Sequence, residues 1–114
     1  MGAYSRTEKS VNGGYPVYTK KGKVFVDGQW RDGTHYLYRA GAGEDTGRWM
    51  VTNSEYDMTK NEGYIKSKSA AELPTQEGLQ WEYESMVWGW KDDPSMVCTG
   101  VSQDAGTIHA YHGL

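Results

Sequence analysis

Lys23-Val24-Phe25-Val26-Asp27-Gly28-Gln29-Trp30-Arg31-Asp32-Gly33-Thr34-His35-Tyr36-Leu37-Tyr38-Arg39-Ala40 is the stretch that decides the fold. Lys23–Val26 is rich in β-branched and aromatic residues, the types that suit a pleated surface. Asp27-Gly28 and Asp32-Gly33 are turn pairs, because Asp and Gly tolerate the positive φ that tight hairpins demand. Thr34–Ala40 is the clearest strand: Tyr36 and Tyr38 fall on one face, and His35, Leu37 and Arg39 on the other. Two strands with intervening turns in eighteen residues mean antiparallel β structure.

The same punctuation runs along the whole chain. Gly13-Gly14 marks a turn before Tyr15–Thr19, and Pro16, with no N–H to donate, places that strand at its start or at an edge. Lys21-Gly22 reads as a further turn. Arg48–Thr52, Gly63–Ser67, Gln80–Glu84, Met86–Lys91, Met96–Val101 and Gly106–Tyr111 are strand candidates, with Asp92-Asp93-Pro94 splitting Met86–Lys91 from Met96–Val101. Gly41–Gly47 and Asn53–Glu62 read as loops. The one helical hint is Ser69-Ala70-Ala71-Glu72-Leu73, where Ser69 and Glu72 have capping-box spacing and Pro74 stops the turn. The expectation is an all-β fold, a small antiparallel sandwich or barrel of seven to eight short strands with at most one helical turn.

Composition sets the limits. A chain of 114 residues fits a single domain over 1–114. With 37% hydrophobic and 24% charged residues it is globular rather than disordered. A mean hydropathy of −0.79 forces much of the core onto five Trp and nine Tyr, whose polar handles also suit a ligand face. The net charge of −3 gives no footprint for nucleic acid. Lys20, Lys21 and Lys23 read as a solvated turn or edge. No apolar run reaches membrane-spanning length, and no leader is visible before Arg6, so the chain is expected to be intracellular with no membrane insertion. Cys98 is the single cysteine, which removes internal disulfides and reads as a buried, inert thiol.

The order Asn12-Gly13-Gly14-Tyr15-Pro16-Val17-Tyr18, His35-Tyr36-Leu37-Tyr38, Gly47-Arg48-Trp49-Met50-Val51, Gly63-Tyr64-Ile65, Trp81 and Trp88-Gly89-Trp90-Lys91 resembles a poorly characterised aromatic-rich β module of multidomain eukaryotic proteins. Its members read N-G-R-P-V-Y, then Y-L-Y-Y, then W-x-I-G. The likeness spans about residues 10–99. This chain departs from it where Gly14-Tyr15 precedes Pro16 and where Arg39 follows Tyr38. The resemblance implies a non-enzymatic module and supplies no catalytic residues.

No catalytic constellation is visible. Gly41–Gly47 lacks the Gly-Lys-Ser/Thr ending of a phosphate loop and carries Glu44 and Asp45. Asp27, Asp32, Asp92 and Asp93 have no EF-hand spacing. His109 and His112, three apart on a strand, face opposite sides, and joining Cys98 and His35 to them is unsupported. No metal or cofactor is expected, and no enzyme. The aromatics carry the functional expectation. Trp30, at what reads as a hairpin tip, is a candidate exposed anchor, or else caps the core. Trp88 and Trp90, about 7 Å apart on one strand face, are a candidate stacking platform, or else two core residues with Gly89 at a bulge. With Tyr36 and Tyr38 they make a ligand-binding face. The expected function is a non-catalytic recognition module that presents this face to a carbohydrate or protein partner. The alternative is a structural subunit, or homo-oligomer, packed into a larger assembly.

Overall fold

The computed structural model describes residues 3–11, 13–85, 87–94, 96–102 and 107–111. The fold is all-β and antiparallel throughout. Among the described residues nine strands and one helix occur: β1 (Ala3–Val11), β2 (Tyr15–Val26), β3 (Gln29–Arg39), β4 (Trp49–Thr52), α1 (Glu55–Lys60), β5 (Ile65–Ser67), β6 (Trp81–Ser85), β7 (Gly89–Asp93), β8 (Val97–Ser102) and β9 (Thr107–Tyr111). Their order in the sheet is β7-β6-β5-β4-β3-β2-β1-β9-β8.

That order forces the sheet to curl. Laid flat, nine strands would separate the two edges by about 38 Å. Yet β7 and β8, the two edges, are joined through residues 94–96, and four residue steps reach at most about 14 Å. The sheet therefore wraps round its inner face as a sandwich-like open barrel. The inner core draws on eight of the strands, with Tyr4, Tyr18, Leu37, Trp49, Ile65, Trp81, Cys98 and Ile108 among its buried members. Burial pushes the Cys98 thiol up to about 12.

Trp49 organises this core. It has no exposed surface, and the rings of Tyr15 and Tyr18 lie 6.4 and 6.3 Å from it. Its indole N–H donates to the carbonyl of Ala71 at 3.0 Å, and Arg39 Nε donates to the same oxygen at 2.9 Å. Ala71 N–H in turn donates to Gly47 at 3.0 Å. The irregular segment 68–80 is thus held across the inner face as a lid. Arg39 also lies 3.9 Å over the Tyr15 ring, and the Tyr15 hydroxyl donates to Glu72.

A second, smaller core lies on the outer face. Val17, Tyr38, Ala40 and Met50 are buried there, with Val11, Tyr36 and Met58 against them. Met58 belongs to α1, so this helix sits over the outer face. Both faces of β4 are covered as a result, and all four of its residues are buried. Asn61 ends α1 in the left-handed conformation at φ 58°, and its side chain accepts from Gly41 N–H.

Four local expectations are corrected. The helix lies in 55–60, inside the segment read as a loop, while 69–73 is irregular. β1 is an added strand whose sequence, Ala3-Tyr4-Ser5-Arg6-Thr7-Glu8-Lys9-Ser10-Val11, buries only Tyr4 and shows no apolar alternation. Lys21-Gly22 is not a turn. Asp32-Gly33 is not one either, because Gly22 and Gly33 pair directly across β2 and β3 in mid-strand. Asp27-Gly28 is the real turn, with φ 53° and 77°, the positive pair of a type I′ hairpin.

Two outcomes follow for the core. Trp49→Ala is expected to cost about 3–5 kcal/mol, a large share of a domain's usual stability of about 5–15 kcal/mol, read as the urea midpoint. Alkali is expected to weaken the fold. Burial raises Cys98 from 9.0 and Tyr64 from 10.0, each to about 12, and pushes Tyr4 and Tyr38 upward too. The native state holds these protons while the unfolded chain releases them. Stability is then fully present below pH 9 and falls between pH 9 and 12, which urea melts across that range will show.

Candidate functional site

The feature that stands out from the body is the distal half of the β2–β3 hairpin. Among the described residues no third strand pairs with β2 beyond Thr19 or with β3 before Tyr36, so residues 20–35 form a two-stranded arm. Its register continues to Phe25 opposite Trp30 and Val26 opposite Gln29. In a two-residue hairpin the pair next to the turn exchanges both backbone bonds. The next pair, Phe25 and Trp30, therefore points its N–H and C=O groups outward. By the same alternation Asp32 does so too.

The arm is fastened on its two faces by different means. On the outer face Phe25 and Trp30 meet at 5.2 Å with their rings inclined at 67°, and Lys23 pairs with Asp32. Both aromatics are exposed, Phe25 at 56% and Trp30 at 69%. On the inner face Val24 is buried against Gly33, where an added Cβ would lie only 2.6 Å from a Val24 methyl. His35 lies across Gly22. Its Nε2 is 2.9 Å from the Lys23 carbonyl, which can only accept, so the proton sits on Nε2. Its Nδ1 is then free to accept from the Tyr64 hydroxyl, and His35 straps the arm to the body. Burial holds the Tyr64 hydroxyl well above its ordinary range, up to about 12.

The aromatics expected to form one face are dispersed. Trp30 is exposed, but not because turns on both sides leave it unanchored: it sits within the eleven-residue β3, on a ribbon without neighbours. Tyr38 is in the outer core with no exposed surface, and its hydroxyl donates to the Glu62 carbonyl, so it presents nothing to a ligand. Tyr36, beside it, is half-buried and donates to Glu55. Trp88 lies in the β6–β7 turn, 73% exposed, with Lys91 Nζ 5.9 Å from its ring centre. Trp90 lies on β7, half-buried under Lys66 Nζ at 4.2 Å. Gly89, at φ 74°, interrupts the alternation between them. The two indoles contact lysines from opposite sheet faces and form no tandem platform. From Trp30 to Trp90 is four strands across and six residues along, about 20 Å in each direction before curvature.

The sequence reading omitted Phe25. The signal was present: a two-residue turn at Asp27-Gly28 places residues 25 and 30 opposite each other. It also omitted a hollow of about 500 Å³ on the outer face, beside α1. Glu44, Asp45, Asp57, Glu62 and Glu84 line it with one cation, Lys66, and Trp90 stands at its side. Lys66 is buried and bonds to Asp45 at 3.1 Å, and Arg48 lies 3.3 Å from the same carboxylate. Thr52 donates to Asp57 at 2.8 Å. The lining residues come from the loops at 44–45, 53 and 61–64, from α1 and from four strands, and no local motif announces such a site. His112 and Asn12 lie outside the described residues. No helix among the described residues is long and apolar enough to cross a membrane.

No protein-family model matches this chain, and no curated protein or solved structure matches it.

Trp30 and Trp49 separate surface from core. Trp30→Ala forgoes only an exposed aromatic pair, about 0.5–1.5 kcal/mol. Its thermal midpoint is expected to stay within about 8 °C of the parent, whereas that of Trp49→Ala falls far lower.

Proposed function

We propose that the chain is a non-catalytic recognition module that engages a protein partner through the β2–β3 arm. One observation carries the reading: Trp30, a large amphipathic side chain, is 69% exposed on a ribbon with outward-pointing backbone groups. Such a side chain is the usual anchor of an interface, and unpaired ribbon edges accept an extended segment by strand addition. Two further facts favour binding over chemistry. The single thiol is buried and held up to about 12, and both ring nitrogens of His35 are committed.

A protein partner fits better than a carbohydrate. Sugar stacking wants an open ring face, whereas Phe25 packs against Trp30 with the rings inclined at 67° and Lys66 covers Trp90. The alternative, a structural subunit of a larger assembly, draws on Val87 and Trp88, exposed at 75% and 73% on a second tip.

Selection of random displayed peptides on the parent protein tests the proposal. The expected binders lose at least about tenfold in affinity for Trp30→Ala, the effect of removing an anchor worth about 1.4 kcal/mol or more, and keep their affinity for Trp88→Ala. Binders indifferent to Trp30, or a glycan-array signal abolished by Trp90→Ala, would redirect the reading.

A further inference from the structure

We infer that the arm of one copy docks into the acidic hollow of a second copy, in a head-to-tail contact; this rests on the arm being the recognition element. The charge of the chain is segregated. Residues 20–35 carry Lys20, Lys21, Lys23 and Arg31 against Asp27 and Asp32, a net +2, while the whole chain carries −3. The rest of the molecule therefore carries −5. Five of its acids converge on the hollow, where Lys66 is the single cation in the lining.

Shape agrees with charge. The arm is two strands wide and carries an exposed indole near its tip, with Arg31 beside it and Lys23, paired with Asp32, on the same face. The hollow, at about 500 Å³, lies within the roughly 300–1,000 Å³ range of pockets that hold a drug-sized group. In its wall Lys66 already lies over the Trp90 ring and pairs with Asp45. A cation from an arriving arm meets the other acids of the lining, Glu44, Asp57, Glu62 and Glu84.

The contact has to be intermolecular. Trp30 stands four strands across and six residues beyond Trp90, on a ribbon too short to fold back over the body. Two different patches meet, so the contact is heterologous. It leaves an unused arm at one end and an unused hollow at the other, and extends into a chain or closes into a ring.

Sedimentation velocity of the full chain tests this at protein concentrations from about 10 μM to about 1 mM, the span in which a contact with a dissociation constant in that same range becomes populated. At low salt the mass is expected to rise above the 12.8 kDa monomer with concentration and to return to it at about 0.5 M salt, where surface charges are screened. Trp30→Ala and the double variant Glu62→Lys with Glu84→Lys are each expected to stay monomeric. Mixed together they should form a 1:1 pair and stop there, since only one intact arm and one intact hollow remain. A parent monomeric at every concentration, association that survives Trp30→Ala, or a mixture that stays monomeric overturns the inference. Trp30-dependent peptides found alongside a monomeric parent would leave the recognition reading standing and remove only the self-docking.

Discussion

The Ala71 carbonyl oxygen is the point on which the structure turns. It accepts from the Trp49 indole and from Arg39 Nε, two groups on neighbouring strands, and it belongs to the irregular segment that closes the inner face. A buried indole N–H without a partner would cost about 1–3 kcal/mol, so Trp49 needs this oxygen where it is. Arg39 needs it as well, and its guanidinium brings Tyr15 over the indole. One bifurcated acceptor thereby couples β3, β4, the start of β2 and the lid. With the lid in place, a core built mainly from Tyr and Trp has both an apolar interior and partners for its polar atoms.

The arm follows from the same arrangement. β2 and β3 run on past the point where β1 and β4 leave them, because the inner core ends near Tyr18 and Leu37. Beyond it a type I′ turn, Val24 over Gly33, the Phe25–Trp30 pair, the exposed Lys23–Asp32 and Lys21–Thr34 contacts and the His35 strap support the ribbon. A two-stranded hairpin is marginal by itself. The molecule thus divides into a packed body and a lightly held, basic, aromatic projection. That division underlies the recognition reading and the docking of arm into hollow alike.

Much of this was legible in the residues, and the failures have physical causes. Asp27-Gly28 shows its turn because both residues sit at positive φ. Asp32-Gly33 has the same letters, but Gly22 lies opposite, and the pair of glycines makes room for Val24 and His35 instead. Cys98 and Trp49 are buried as their apolar strands suggest. Alternation puts Tyr38 on one face with Tyr36, and it is so, yet that face is roofed by α1, whose residues are individually polar enough to pass for a loop. Trp88 and Trp90 make a pair only if strand alternation runs through Gly89, where the backbone breaks it. The acidic hollow was beyond reach, since it exists only once the loop at 44–45, α1 and β4 to β7 come together.

Hydrogen exchange of the native protein tests the central division most directly. The indole N–H of Trp49 and the β4 amides should exchange only by global unfolding, with the full stability of the fold, while amides of residues 22–33 should exchange by local opening at much lower free energy. Equal protection of the arm and of Trp49 would contradict the account, because it would make the ribbon part of the core.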